Sequence, residues 1–305
     1  MDYDRDVFAT LAGGYPWPPD LVPADGLALV LRVQLDAGVG LLADGRVHAA
    51  PATPDALVAA WRSTREAAAR EAAARAAPEL PVKVALGGPW AAAGASGALD
   101  AARRLSAALH ALADAGCPLV EIHEPSPSLP SDDAGRAVFA AAHAALLDGL
   151  AERMHASLAI TGGDALALGA EALFAAPYRS HLFDLLDGPE SWRLVALAPG
   201  ERGIVVGVGD ASGRRRTRLE DLVWAAGYAA STRGRGMDRV GVAPSGSLAD
   251  LAPDRAQAVL ALLGETARII AGGGGGVLER LDPRAIDARS AALGQYQPQR
   301  RRPGG

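Results

Sequence analysis

Short apolar runs alternate with longer helical patterns along most of the chain. The apolar runs are brief and rich in β-branched residues, which is typical of buried parallel strands. We predict eight strands, over residues 8–11, 39–42, 82–86, 119–122, 157–161, 181–186, 203–208 and 240–242. Apolar residues at helical spacing predict helices over residues 25–36, 54–77, 98–115, 132–154, 165–175, 217–230 and 253–270.

This alternation predicts an α/β protein. Eight strand–helix units connected in this way are typical of a (β/α)8 TIM barrel, which we place in a single domain over residues 1–271. A doubly wound sheet is the alternative, but no glycine-rich dinucleotide motif follows the first predicted strand. Residues 272–305 are interpreted as a Gly-rich hinge and a polar, basic tail, which we expect to be disordered.

Composition narrows the classes of function. The chain has 305 residues, of which 50% are hydrophobic, so it can bury a large core. Its net charge of −5 argues against nucleic acid and anionic membranes as partners and leaves a small-molecule substrate, with the oligomeric state open. A single cysteine, Cys117, excludes an internal disulfide. With no signal peptide or membrane-spanning run in the sequence, we expect a cytoplasmic protein.

Polar residues gather where the predicted strands end, which is where barrel enzymes carry their chemistry. His123 and Glu124 end the fourth predicted strand, and a histidine beside a carboxylate can exchange a proton near neutral pH. Neighbouring residues on a strand point to opposite faces, so we expect only one of the two to enter a pocket. His123, Glu124 and Asp210 are the candidate catalytic residues.

Other strand-end residues are candidates for binding a substrate. Arg46 offers a planar cation suited to a carboxylate or phosphate. Tyr15 and Trp90 could stack on a flat ring such as a pterin, and packing is an equally good interpretation for both. Asp44 and Ser245 complete the substrate-binding candidates.

Several motifs, in this order and spacing, resemble the cobalamin-independent methionine synthases. The likeness is to their C-terminal catalytic barrel in its single-barrel form, and it runs from about residue 8 to residue 270. The motifs are Gly-Tyr-Pro at 14–16, Gln-Leu-Asp-Ala-Gly at 34–38, Ala-Asp-Gly at 43–45, Pro-Val-Lys-Val at 81–84, Gly-Pro at 88–89, Ala-Gly at 115–116, His-Glu-Pro at 123–125 and Ala-Pro at 243–244 followed by Leu248.

The resemblance implies a zinc-dependent methyltransferase that moves a methyl group from 5-methyltetrahydrofolate to the thiol of homocysteine, in methionine biosynthesis. It also implies zinc ligands at the ends of the fifth, sixth and eighth strands. Ala159, Thr161 and Gly246 stand at three of these places, and Asp187 is the one aligned candidate. Four-coordinate zinc cannot be built from one ligand, so we expect a degenerate zinc site and name no cofactor beyond a possible folate.

The same alignment places Arg46 and His123 where the family has carboxylates that would hold an ammonium group. This exchange favours an anionic ligand. Three hypotheses follow: a divergent methyltransferase of the methionine synthase type, a metal-free barrel enzyme acting on a small anionic substrate, and a non-catalytic ligand-binding relative. The sequence leaves open whether the protein is an enzyme.

Overall fold

The computed structural model describes residues 7–17, 20–49 and 53–272. In this part of the chain, seven strands alternate with eight α-helices. The strands are β1 (Phe8–Ala9), β2 (Val84–Gly87), β3 (Leu119–Pro125), β4 (His155–Thr161), β5 (Ser180–Asp184), β6 (Gly203–Gly209) and β7 (Val240–Pro244). The helices are α1 (Pro23–Asp36), α2 (Pro54–Ala73), α3 (Pro89–Asp114), α4 (Asp133–Leu146), α5 (Ala170–Ala175), α6 (Trp192–Leu197), α7 (Leu219–Ser231) and α8 (Pro253–Ala271). The predicted tail over residues 273–305 lies outside the described residues.

All paired strands run parallel, in the order β1-β7-β6-β5-β4-β3-β2. The pairing of β1 with β7 brings the first and last strands together, as a curled, TIM-barrel-like sheet requires. The prediction of an α/β fold with a barrel-like parallel sheet is confirmed at this level.

The predicted second strand, residues 39–42, does not form a regular strand. Leu41 makes an isolated bridge to Thr10, and Leu42 makes one to Val82, so the segment lies between β1 and the start of β2. The next bridge joins His48 to Leu86. The seven residues 42–48 therefore face the five residues 82–86, and the two extra residues bulge out of the ladder. This bulge explains why eight regular strands do not close a continuous ladder.

Several helix predictions need correction at one end. Helix α2 ends at Ala73 instead of residue 77, and α5 begins at Ala170 instead of residue 165. Helix α3 begins at Pro89 because the Glu124 carboxylate accepts backbone N–H groups of its first turn, and it kinks at Gly94, whose φ is 58°. Helix α4 ends at Leu146 instead of continuing to residue 154, and Gly149 then takes a left-handed φ of 69°. Helix α6 lies in a stretch for which we predicted no helix.

Hydrophobic side chains form two separate cores. The larger one fills the space between the sheet and the helices. The smaller one lies on the inner face of the sheet and consists mainly of small or short side chains, namely Ala12, Ala159, Leu182, Val205 and Ala243 with Phe8 packed against them. Because side chains alternate along a strand, this second core identifies which strand residues face the interior.

Candidate functional site

A chain of three polar side chains runs along the inner face of the sheet at β2 and β3. Lys83 Nζ donates to Glu121 Oε2 at 2.7 Å and to the carbonyl oxygen of Leu11 at 2.7 Å. The second carboxylate oxygen of Glu121 lies 2.7 Å from His123 Nε2. The side chains of Lys83 and Glu121 are 0% and 2% exposed, so this ion pair is buried inside the protein.

The negative charge on Glu121 determines which ring nitrogen of His123 carries the proton. Burial by itself would raise the pKa of Glu121, but the Lys83 cation and the hydrogen bond from His123 lower that pKa to about 2. An ionised carboxylate can only accept hydrogen bonds, so in neutral His123 we assign the ring proton to Nε2. The lone pair of Nδ1 is then free, and no described residue forms a hydrogen bond with it. His123 is thus oriented as a base near the C-terminal end of β3.

Ser157 lies beside this chain without a partner of its own. It pairs in register with Glu121 and stands two residues before Ala159, so its side chain faces the interior. Its hydroxyl is buried and makes no hydrogen bond within the described part of the chain. A buried hydroxyl without a partner is costly, so this position suits a water molecule or a polar atom of a ligand.

Glu124 points the other way, towards the helices. Its carboxylate accepts the backbone N–H of Trp90 at 2.9 Å and that of Ala91 at 2.7 Å. It also lies 3.1 Å from His143 Nε2, and the other ring nitrogen of His143 is 2.6 Å from the hydroxyl oxygen of Tyr178. The structure therefore separates the two neighbours: His123 faces the interior, whereas Glu124 caps α3 and joins a buried network behind the sheet.

The bulged segment carries the substrate-binding candidates Asp44 and Arg46. Asp44 Oδ2 lies 2.6 Å from His48 Nε2, and Asp44 Oδ1 accepts the backbone N–H of Arg46 at 3.0 Å. The hydrogen bond that His48 donates to the Asp44 carboxylate raises the pKa of His48, and burial opposes this increase. The guanidinium of Arg46 stacks 3.8 Å above the ring of Trp17.

The two aromatic candidates are buried by their own surroundings. Tyr15 is 4% exposed, and its hydroxyl lies 3.5 Å from the carbonyl oxygen of Pro253. Trp90 is 8% exposed, donates from Nε1 to the carbonyl oxygen of Ser128 and packs 6.1 Å from the ring of Phe139. Both rings therefore serve packing in this structure.

Asp210 organises the loop that follows β6. Burial raises its pKa, but hydrogen bonds from the Ser212 hydroxyl at 2.6 Å and from the backbone N–H of Arg215 at 2.7 Å make the net shift a lowering. Arg215 also forms an ion pair with Asp187 at 2.7 Å. Ser245, at the end of β7, accepts the backbone N–H of Ala211 at 3.3 Å. The candidates Asp187, Asp210 and Ser245 thus lie in one cluster after the ends of β5, β6 and β7.

Sequence reasoning did not single out Lys83, Glu121 or Asp184. Asp184 ends β5 and accepts backbone N–H groups of Gly163, Leu186 and Asp187, while burial raises its pKa. The available signal was strand alternation. Residues 121 and 123 lie on the same face of β3, and residues 182 and 184 lie on the same face of β5. Alternation could therefore have identified Glu121 and Asp184 as charged residues that face the interior.

Two of the positions aligned with the family's zinc ligands, Thr161 and Gly246, lie close together. A Cβ atom built on Gly246 would lie 3.9 Å from Cβ of Thr161, at the ends of β7 and β4. Ala159 and Gly246 offer no donor atom, and Asp187 is already paired with Arg215. No group of three or more His, Cys, Asp or Glu side chains among the described residues could hold a metal ion. These residues do not fit a zinc ion.

None of the helices in the described part of the chain is long and apolar enough to cross a membrane.

No profile of a known protein family matches the chain, and no curated protein matches its sequence. Solved structures do match its fold. A B12-independent methionine synthase from Shewanella sp. W3-18-1, in complex with selenomethionine, has a TM-score of 0.70 at 15% identity, covering 88% of this chain and 98% of that one. A putative vitamin-B12 independent methionine synthase from Listeria monocytogenes has a TM-score of 0.62 at 13% identity, covering 87% and 98%.

A homocysteine methyltransferase from Escherichia coli, in its apo form, has a TM-score of 0.51 at 15% identity, covering 86% of this chain and 96% of that one. At such low identities these likenesses establish the fold, which many unrelated activities share. The chain is therefore an α/β protein whose fold is similar to that of B12-independent methionine synthases.

Proposed function

We propose that this protein is a methyltransferase with the fold of the B12-independent methionine synthases, in which His123 replaces metal activation of the acceptor. The observation that carries the proposal is the contact of 2.7 Å between Glu121 and His123 Nε2, which leaves Nδ1 as a base near the C-terminal end of β3. The structural likeness to two methionine synthases and a homocysteine methyltransferase supports methyl transfer as the reaction class.

In the proposed step, His123 Nδ1 takes the proton of the acceptor thiol as the thiolate attacks the methyl carbon. The new bond joins sulfur to the methyl carbon. The bond between the methyl carbon and the donor heteroatom breaks, and its electron pair stays on the donor. The proton held by His123 then passes to the released donor atom, so a methyl group and a proton have exchanged places.

Glu121 is a positioning residue in this proposal, and Lys83 acts through it. The ionised carboxylate fixes the tautomer of His123 and stabilises the imidazolium formed when Nδ1 gains its proton. Lys83 holds Glu121 ionised and in place from the opposite side. Because these groups are buried, the arrangement stays aligned before a substrate binds.

The test is formation of methionine from homocysteine and 5-methyltetrahydrofolate by the full-length protein, followed by mass spectrometry of the product. We expect turnover in the wild type and a decrease in kcat of about a hundredfold or more in His123→Gln. His110→Gln is the matched control, because His110 lies on α3 and contacts the carbonyl oxygen of Asp148. Glu121→Asp, which keeps the charge, is expected to retain part of the activity and to change its pH profile.

Absence of methylated product with every thiol acceptor and methyl donor tested would contradict the proposal. A second candidate is a metal-free acid–base enzyme acting on a small anionic substrate. It is favoured by the Arg46 guanidinium, which lies over Trp17 and forms no ion pair within the described residues. In that case His123 would remove a proton from carbon, and deuterium from the solvent would enter the substrate without methyl transfer. A protein that binds ligands but shows neither reaction would be a non-catalytic relative.

A further inference from the structure

The Arg46 guanidinium is held in place but left without an anionic partner. It lies 3.8 Å above the Trp17 ring, and the residue as a whole is exposed. No carboxylate in residues 7–17, 20–49 or 53–272 forms an ion pair with it. Stacking on an aromatic ring leaves the planar N–H edge of a guanidinium available for two parallel hydrogen bonds.

The nearest acidic side chain cannot satisfy Arg46, because Asp44 is already engaged. One of its oxygens lies 2.6 Å from His48 Nε2, and the other accepts the backbone N–H of Arg46. Both Asp44 oxygens therefore have partners other than the Arg46 guanidinium, whose N–H groups stay available to a ligand.

The backbone that carries Arg46 is fixed on both sides. Tyr15 donates its backbone N–H to the carbonyl oxygen of Gly45 at 2.9 Å. The backbone N–H of His48 donates to the carbonyl oxygen of Ala85. The carbonyl oxygen of His48 accepts the backbone N–H of Gly87. Gly45 has a φ of 78°, a conformation that residues with a side chain rarely adopt, and a Cβ built there would lie only 2.8 Å from Cγ1 of Val30. A site held in this way loses little entropy when a ligand binds.

The segment also lies within reach of His123. His48 bridges to Leu86 on β2, and the next residue of β2, Gly87, pairs with His123 on β3. The backbones of residues 48 and 123 are thus separated by two strand spacings, about 10 Å. One small molecule can span this distance.

From these observations we propose that Arg46, held over the Trp17 ring, binds an oxyanion group of the substrate, a carboxylate or a phosphate, and that the substrate extends from there towards His123. This proposal rests on the proposed function for the position of the reacting atom. The binding of the anion itself does not depend on any turnover.

The test is a titration of the full-length, 15N-labelled protein, followed through the indole N–H resonance of Trp17, which Trp17→Phe assigns. Inorganic phosphate is the probe in one arm and acetate in the other, at constant ionic strength. We expect a saturable shift in at least one arm, and the tighter arm identifies the group. Arg46→Gln should weaken binding by at least about tenfold, and Arg46→Lys should weaken it less, because lysine keeps the charge but loses the planar fork.

Arg65→Gln is the matched control, since Arg65 also lies over a tryptophan, 5.2 Å from the ring of Trp61. It should leave the titration unchanged. No saturable shift in either arm, or an equal loss in the Arg46 and Arg65 variants, would overturn the proposal. If methyl transfer is absent but phosphate or acetate still saturates Trp17 through Arg46, the proposed function fails and the anion site stands. If methyl transfer occurs and Arg46→Gln leaves both KM and the titration unchanged, the anion site fails alone.

Discussion

Lys83 Nζ and Glu121 Oε2 form an ion pair of 2.7 Å in the interior of the sheet, where both side chains are almost completely shielded from water. Such a pair has lost the hydration of two charges, so it is stable only because each charge compensates the other and hydrogen bonds fill the remaining positions. Leu11 and His123 supply those bonds here.

Breaking this pair on one side is expected to destabilise the protein strongly. Glu121→Leu leaves the Lys83 ammonium buried without a counter-charge, so we expect the free energy of unfolding to fall by about 3–5 kcal/mol. The double variant Lys83→Met/Glu121→Leu removes both charges and should recover most of that loss. Urea unfolding of the wild type, the single variant and the double variant measures both effects. A double variant no more stable than Glu121→Leu would show that the charges do not compensate each other.

The capping of α3 by Glu124 predicts a sharp difference between two neighbouring glycines. A Cβ on Gly88 would lie 2.2 Å from Glu124 Oε1, whereas one on Gly87 would meet nothing closer than the carbonyl oxygen of His48 at 3.7 Å. We therefore expect Gly88→Ala to lower the free energy of unfolding by about 1–3 kcal/mol and Gly87→Ala to leave it nearly unchanged. Thermal unfolding of both variants tests this, and equal effects would argue against the position assigned to the Glu124 carboxylate.

A buried histidine behind the sheet predicts how stability depends on acid. Burial, with a smaller contribution from the Arg202 cation, lowers the pKa of His181 to about 3. The unfolded chain therefore binds a proton at this residue at higher pH than the folded protein does, so stability should fall as the pH is lowered from about 6.5 towards 3, on the order of 1 kcal/mol for each pH unit.

Replacement of His181 by phenylalanine, which does not titrate, should make the stability of the protein less sensitive to acid. The His181 ring is fully buried and lies among the rings of Phe174, Tyr178 and Phe183. We expect His181→Phe to be at least as stable as the wild type at pH 7 and to lose less stability between pH 6 and pH 4, as measured by urea unfolding at each pH. An unchanged pH dependence would assign the acid sensitivity to other groups, such as His155.

The side chains at the strand ends predict how much zinc the purified protein contains. Ala159 and Gly246 provide no ligand, and no group of three potential ligands occurs in the described residues. We expect protein purified without a tag or chelator to contain far less than one zinc ion per chain by elemental analysis, and we expect a chelator to leave its melting temperature unchanged. About one zinc per chain, lost together with stability on chelation, would show that other ligands assemble a site.

The sequence by itself determined the architecture, a parallel sheet whose strands are connected through helices. Seven of the eight predicted strands are present as regular strands, because buried parallel strands need continuous apolar runs that are visible in one dimension. The segment 39–42 could not be predicted in this way, since its ladder is interrupted by two residues whose effect appears only against β2. Helix α3 likewise starts early because of Glu124, a residue on the following strand.

Only the tertiary structure decided which polar side chains come into contact. The sequence placed His123 and Glu124 together, and alternation required them to point apart, but it did not say which one would face the interior. Only the folded sheet brings Lys83 and Glu121 to His123, turns Glu124 onto the first turn of α3, and seats Arg46 on Trp17. Each of these contacts joins residues from different elements, so each depends on strand register and packing that no local pattern encodes.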